Sequence, residues 1–254
     1  MADPMDTRTS IEGLFALARE RARSGDEAGA ARTWSAAVSL AEETGLEEVV
    51  AIAEAGLAQA DVRERRLDAA RVRLEGAWTR CQGAATSPGV RAQVGGQLGQ
   101  VLVFLGQPGE GVALMQAAVR DWRTAGDDTA AHELELAVSA ICERVDRAVD
   151  EASGSDPEHR AACLCRRAEV ALGTDHTARA LEDLAAAWAL ARELPARPRG
   201  RVGALYGQVL AAQGAATAMS VLLAAREAWQ EAGDDIWLDR IDRVIASASG
   251  AGQA

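Results

Sequence analysis

The sequence contains no lysine and no asparagine, and all 27 basic residues are arginine. That bias fits a GC-rich coding background rather than selection for a site. Aromatic residues are scarce: six Trp, two Phe and one Tyr in 254 residues. Few stretches are rich in Val, Ile, Thr or Tyr, so strands are not expected. Apolar runs are short, such as Val101 to Leu105, too short to span a bilayer. The opening MADPMDTRTS lacks the basic-then-apolar design of a secretory signal. Cys81, Cys142, Cys163 and Cys165 do not make a disulfide framework in a chain of this length. They are expected to be reduced and the protein cytoplasmic. The formal net charge is −11, with no basic block to attract phosphates. Neither a nucleic acid nor an anionic membrane is expected as a partner.

What remains favours helix from end to end. Six prolines break a chain dominated by Ala, Leu, Glu, Arg and Gln, so the predicted class is all-α, with about twelve helices. Residues 1–9 are polar and expected to be disordered. A first helix runs from about Ser10 to Arg23, with Ile11, Leu14, Phe15, Leu17 and Ala18 on one side. Ser24-Gly25-Asp26 stops it and caps the next helix, which runs to about Thr44. Further helices cover about 47–65 and 67–82, and GAATSPG at 83–89 interrupts the chain. Two more lie on either side of Gly106-Gln107-Pro108-Gly109. From Asp128 to Ala152 neither Gly nor Pro intervenes, so a single long helix is predicted where two short ones would be expected. After a break at 153–157, helices follow at about 158–172, 177–193, 199–213, 216–232 and 235–247. Residues 249–254 are expected to form a disordered tail.

One pattern recurs on five alternate helices: Ala30, Trp34 and Ala37; Ala70, Leu74 and Ala77; Gly111, Met115 and Ala118; Ala180, Leu184 and Ala187; Ala218, Leu222 and Ala225. Positions i, i+4 and i+7 share a helix face. The two small residues let backbones approach, and the large one fills the gap between them. Eleven to fourteen residues earlier a small residue stands on the preceding helix: Ala18, Gly56, Gly99, Ala168 and Gly207. A closely crossing helical hairpin requires one there.

This grammar resembles the tetratricopeptide repeat family, whose second helix carries small-x3-aromatic-x2-Ala. The resemblance covers about residues 10–248. It implies a right-handed α-solenoid of antiparallel hairpins, each packed on its neighbours. The triplets step by 40, 41, 69 and 38 residues, against about 34 in the standard repeat. Lengthened repeats with Gly-Asp joints resemble the sensor-domain variety found in bacterial regulators. The 69-residue step holds the long helix. GQVL recurs at 99–102 and 207–210, GDD at 126–128 and 233–235, Ala-Trp at 77–78 and 187–188, and Trp at 122 and 229. The offsets of 108, 107, 110 and 107 point to an internal duplication. The expected organisation is three hairpins over 10–126, then a linking helix, two hairpins and a capping helix over 127–248.

Little in the sequence carries catalytic chemistry. His132-Glu133 lacks the second His of a zinc-protease helix, since position 136 is Leu136. His159, Cys163 and Cys165 could begin a metal site, but no fourth ligand is evident, so no metal and no cofactor are predicted. Asp175-His176 reads as a helix cap. The tryptophans stand at core spacing, with Trp237 placed to seal the last hydrophobic face.

By the resemblance, ligands meet the first helix of each hairpin, on the concave face. The positions carried over are Phe15, Arg19, Leu57, Gln93, Gln100, Phe104, Leu134, Val138, Ile141, Glu169, Arg201 and Gln208, with Cys165 among their neighbours. This surface has an apolar centre and arginine at both ends. It implies a non-enzymatic interaction or ligand-sensing module for a protein or peptide partner, a partner helix or a small apolar molecule. The alternative is a scaffold subunit acting by self-association, with a homodimer possible, or with a fixed partner. An enzyme is the least favoured reading. The chaperone-binding members of the family hold a C-terminal carboxylate with lysine and asparagine; this chain has neither, although arginine can grip a carboxylate in another way.

Overall fold

The computed structural model describes residues 4–83 and 86–251. Among them are twelve α-helices, packed in sequence as antiparallel pairs. They are α1 (Pro4–Arg23), α2 (Glu27–Glu43), α3 (Glu47–Arg63), α4 (Leu67–Cys81), α5 (Pro88–Phe104), α6 (Pro108–Ala125) and α7 (Asp128–Glu151). After a 3₁₀ turn at Ala152–Gly154 come α8 (Pro157–Gly173), α9 (Thr177–Ala191), α10 (Ala196–Ala212), α11 (Ala218–Glu231) and α12 (Asp235–Ala251). None is long and apolar enough to cross a membrane. The chain divides into two compact units, Met1–Ser139 and Ala140–Ala254, so the dividing point falls inside α7. The hairpins α1–α2, α3–α4 and α5–α6 belong to the first; α8–α9, α10–α11 and α12 belong to the second.

The ends of the helices follow the chemistry of the joints. Asp26 accepts a hydrogen bond from the Gly29 amide at 2.9 Å, Asp127 from Ala130 at 2.9 Å, and Asp156 from His159 at 3.0 Å. Each fills one of the backbone donors left open at a helix start. The preceding Gly25 and Gly126 adopt the left-handed conformation that ends the previous helix, at φ +83° and +80°. Three expectations need correction here. The last helix runs to Ala251, so residues 249–251 of the expected tail are helical, while 252–254 lie outside the described residues. The first helix begins at Pro4, six residues before Ser10, so residues 4–9 are helical, while 1–3 lie outside the described residues. At Asp175-His176 no side chain caps α9; Asp175 instead takes φ +60°, and the His176 ring meets the Thr174 hydroxyl at 3.0 Å.

All fifteen triplet residues are buried, as the crossing of hairpins demands. The tightest crossing joins α5 to α6. A Cβ on Gly99 would lie 2.5 Å from the Gly111 carbonyl oxygen, and one on Gly111 would lie 2.5 Å from that of Gly99. Backbone meets backbone there, and only glycine fits. A second contact type joins each hairpin to the next. Trp34 of α2 lies against Gly56 of α3, Trp78 of α4 against Gly95 of α5, and Trp188 of α9 against Gly203 of α10. Added Cβ atoms would meet those rings at 2.4, 2.9 and 2.8 Å. Gly56 therefore serves Trp34 rather than its own hairpin, and buried Ala58, twelve residues before Ala70, is the small residue at the usual spacing.

The long helix is amphipathic. Ala131, Leu134, Val138, Ile141 and Val145 are buried, at the three- and four-residue steps of one face, while Leu136 on the opposite side is 58% exposed. Among the described residues, the buried charged side chains are Asp61 and Asp183, each held by arginine. Asp61 is held by Arg66 and Arg73, both at 2.9 Å through Nε, and Asp183 by both Nε and Nη2 of Arg167, at 2.9 and 2.6 Å. The paired arginines remain partly in solvent, which limits the desolvation cost of each bridge.

Candidate functional site

The twelve carried-over positions separate by burial. Leu57, Leu134, Val138 and Ile141 are buried. Leu57 belongs to a cluster with Ala18, Trp34 and Ala37, against which Phe15 packs half-buried; the Phe15 and Trp34 rings lie 5.1 Å apart. Leu134 rests against Gly96 of α5. These apolar side chains are part of the packed interior. Gln93 and Glu169 are half-buried; Arg19, Gln100, Phe104, Arg201 and Gln208 are exposed. Phe104 is 64% exposed, with Gln100 one turn before it on α5.

In the first unit, Arg19 borders a cavity of about 240 Å³ between α1, α2 and α3. Arg23, Gln59 and Arg63 share its rim, and Trp34, Ala30, Gly56 and Ala60 form its apolar wall. Arg63 is already committed to Glu27, both of whose carboxylate oxygens lie 2.9 Å from its Nη1.

In the second unit, Cys165 and Glu169 on α8 face Arg201 on α10. Burial pushes the Cys165 thiol up to about 12, with the Glu169 carboxylate adding to the rise and Arg201 opposing it. Burial likewise raises Glu169 above the ordinary carboxylate range, against the pull of Arg201 and Arg166. Arg201 also borders a cavity of about 320 Å³, lined by Glu158, Arg197, Pro198, Trp229, Asp234 and Trp237. Trp229 is 1% exposed, and its Nε1 has no hydrogen-bond partner. Leaving a buried donor unpaired costs roughly 1–3 kcal/mol. Its ring is stacked on Trp237, with centroids 5.1 Å apart and planes 8° from parallel, and Arg240 lies 4.8 Å from the Trp237 centroid. Trp237 thus covers the last hairpin, as its place on the terminal helix suggested.

Arg201 and Trp237 were visible from the sequence; Arg197 and the orphaned indole of Trp229 were not. His159 and Cys163 approach to 3.7 Å, and among the described residues no group of three or more His, Cys, Asp or Glu is placed to hold a metal ion.

Fold and site together define an all-α protein of helical hairpins packed in sequence in the manner of tetratricopeptide-like repeats, its small-residue crossings buried. No protein-family model matches the sequence, and no curated protein matches it. Solved structures similar to it include the TPR2AB domain of yeast Sti1 in complex with an Hsp90 peptide, at 16% identity over 95% of this chain and 99% of that one, with a TM-score of 0.39. Another is BtubC from P. vanneervenii, at 18% identity over 98% of this chain and 84% of that one, with a TM-score of 0.44. At these levels the helices and their packing carry the description of the fold, and the similarities add no argument about function.

Proposed function

We propose that this protein is a non-enzymatic interaction module that holds a peptide, partner helix or small apolar molecule along the first helices of its hairpins. Helix-hairpin repeat domains typically mediate protein–protein interactions, but fold alone does not assign a role. The observation that carries the reading is Phe104. It is a large aromatic side chain, 64% exposed at the end of a first helix, in a chain with only nine aromatic residues. Gln100 stands beside it at i−4, on the same helix face. An exposed aromatic with an adaptable hydrogen-bonding neighbour is the usual material of a recognition surface.

The test uses an internal control. Val72 on the second helix α4 is 63% exposed, nearly the same as Phe104. A photo-crosslinking amino acid is placed at 104 or at 72 in the full chain, expressed in its own host. A discrete adduct at 104 and none at 72 is the expected result. Equal labelling at both, or none at either, overturns the proposal. An adduct joining two copies of this chain would move the reading to a self-associating scaffold.

A further inference from the structure

We infer that the cavity between α1, α2 and α3 in the first unit is a binding site for an organic phosphate monoester. Arg19 and Arg23 on α1 and Arg63 on α3 stand at its rim. Arg19 and Arg23, at i and i+4, share a helix face. Arg63 donates to Glu27 from Nη1 alone, at 2.9 Å to each carboxylate oxygen, so the rest of its guanidinium is open. Arg23 lies 3.9 Å from Glu20, both of them well exposed, a pairing that holds little. Arg19 has neither a hydrogen bond nor an ion pair among the described residues. The negative end of a helix attracts cations to its last turn, which accounts for Arg23 and Arg63. Arg19 lies one turn earlier, and that account does not reach it.

The hairpins of the second unit supply the second observation. Ala18, Ala30 and Ala37 of α1–α2 match Ala168, Ala180 and Ala187 of α8–α9 at an offset of 150, and Ala58 of α3 matches Gly207 of α10 at 149. At those offsets Arg19, Arg23 and Arg63 stand where α8 and α10 have Glu169, Gly173 and Ala212. Of the polar rim, Gln59 alone is kept, as Gln208. In both places the small residues of the crossings are buried, so packing did not require the three arginines. Arg19 against Glu169 is a reversal of charge at one position of the hairpin.

The balance of charge selects the ligand. Three guanidiniums against the one carboxylate of Glu27 leave a surplus of two positive charges at the rim. A phosphate monoester carries about −1.5 to −2 at neutral pH on three acceptor oxygens and matches that surplus. A carboxylate or a sulfate ester brings a single charge and leaves the other uncompensated. Guanidinium forks also suit phosphate oxygens, two bonds at a time. Trp34, Ala30, Gly56 and Ala60 form the apolar wall, which suits the organic part of an ester. At about 240 Å³ the cavity admits a phosphate and a few carbon atoms, not a nucleic-acid strand. No stretch of the sequence shows the site as a basic block, because α1 and α3 bring the arginines together from two separate hairpins.

The inference needs neither Phe104 nor α5, so it stands or falls apart from the crosslinking result. The experiment is isothermal titration calorimetry of the full chain at neutral pH and low salt, with phenyl phosphate, phenyl sulfate, benzoate and the amide of acetyl-phosphoserine. Saturable binding of phenyl phosphate, roughly tenfold tighter than that of phenyl sulfate or benzoate, is expected. Whether phenyl phosphate or the phosphoserine amide binds more tightly tells a free ester from a phosphorylated side chain. Arg19→Gln and Arg23→Gln, both at exposed positions, should each weaken binding roughly tenfold. Arg19→Glu, which installs the charge that α8 carries at the equivalent place, should abolish it. Arg32→Gln, at an exposed position of α2 outside the cavity, should leave it unchanged. The inference is overturned by no saturable binding at tens of millimolar, by phenyl sulfate or benzoate binding as tightly as phenyl phosphate, or by equal affinities in the Arg19 and Arg32 variants.

Discussion

The hairpins α5–α6 and α10–α11 are two versions of one design, and they differ where packing leaves freedom. Both keep GQVL, with its glycine at the crossing. Both receive a Trp from the preceding hairpin, Trp78 on Gly95 and Trp188 on Gly203. Both hold the first helix to the second by an arginine at equivalent positions. Arg91 reaches Asp121 at 2.7 and 2.5 Å, whereas Arg199 reaches Glu231, about one turn further on. The divergence is at the mouth. Trp122 stays half-exposed, 3.6 Å from where a Cβ on Gly89 would be, while Trp229 sinks over Gly200 and is covered by Trp237. The two hairpins keep the residues that set interhelical distance and vary those at the edge.

The crossing itself offers the largest contrast. A Cβ at Gly99 meets the Gly111 carbonyl oxygen at 2.5 Å, part of a helix backbone that cannot yield alone. At Gly207 the nearest atoms are side-chain carbons of Leu222, at 2.6 and 2.7 Å, and the first backbone atom is 3.2 Å away. Alanine gains about 1 kcal/mol of helix propensity over glycine in either place, while overpacking costs about 1–3 kcal/mol and occasionally more. Gly99→Ala should therefore lose about 2 kcal/mol or more, and Gly207→Ala about 1 kcal/mol or less. Urea denaturation followed by circular dichroism measures both; equal losses would mean that the two crossings are not as different as their contacts.

The mouth gives a smaller effect. In Gly200→Ala the new methyl would stand 2.7 Å from the Trp229 ring, which is rigid and must turn outward. A loss of about 1–2 kcal/mol is expected, with tryptophan emission shifting to the red. The reciprocal change, Ala92→Gly, should lose about 1 kcal/mol through helix propensity and leave the emission in place. A red shift in both variants would show that the Ala92/Gly200 difference does not set the depth of the ring.

Much of this was legible in the sequence, for a physical reason. A helix crossing is decided by residue size at fixed spacing, and size is printed in the sequence. The five triplets, the long helix and the Gly-Asp joints could be read for that reason. The starting point of α1 could not, because residues 4–9 are polar and give no periodicity to follow. Gly56 was read as a crossing residue because spacing cannot tell which neighbour a glycine admits. Leu57, Leu134, Val138 and Ile141 were placed on the expected ligand face, yet they are buried: periodicity gives the side of a helix, not how far its neighbours cover that side. An unpaired N–H is a property of three-dimensional surroundings, so Trp229 offered no signal of its own. The signal that was available lay in aligning the halves at their offsets, where Ala92 corresponds to Gly200 and Ala130 to Trp237.

The cysteines extend the contrast between units to pH. Burial raises the Cys81 thiol to about 11, with Glu48 adding to the rise and Arg91 opposing it; Cys165 reaches about 12 with Glu169 and Arg201 in the same two roles. The unfolded thiol titrates near 9.0. A folded value above the unfolded one means that the native state holds the proton more tightly. The resulting stability is fully present below about pH 9 and is lost as pH rises through the folded values. Between pH 9 and 10 the unfolded thiols ionise while the native ones do not, so each should contribute about 1 kcal/mol of destabilisation. Arginine does not titrate there, and the chain has no lysine, which keeps that window clear of other side-chain amines. Stability measured at both pH values in Cys165→Ala and Cys81→Ala should fall less steeply than in the parent, by similar amounts. An unchanged slope in both would mean that these thiols are more hydrated than their packing indicates. A change confined to Cys165→Ala would place the effect at the Glu169–Arg201 face of the second unit and leave Cys81 as simple core.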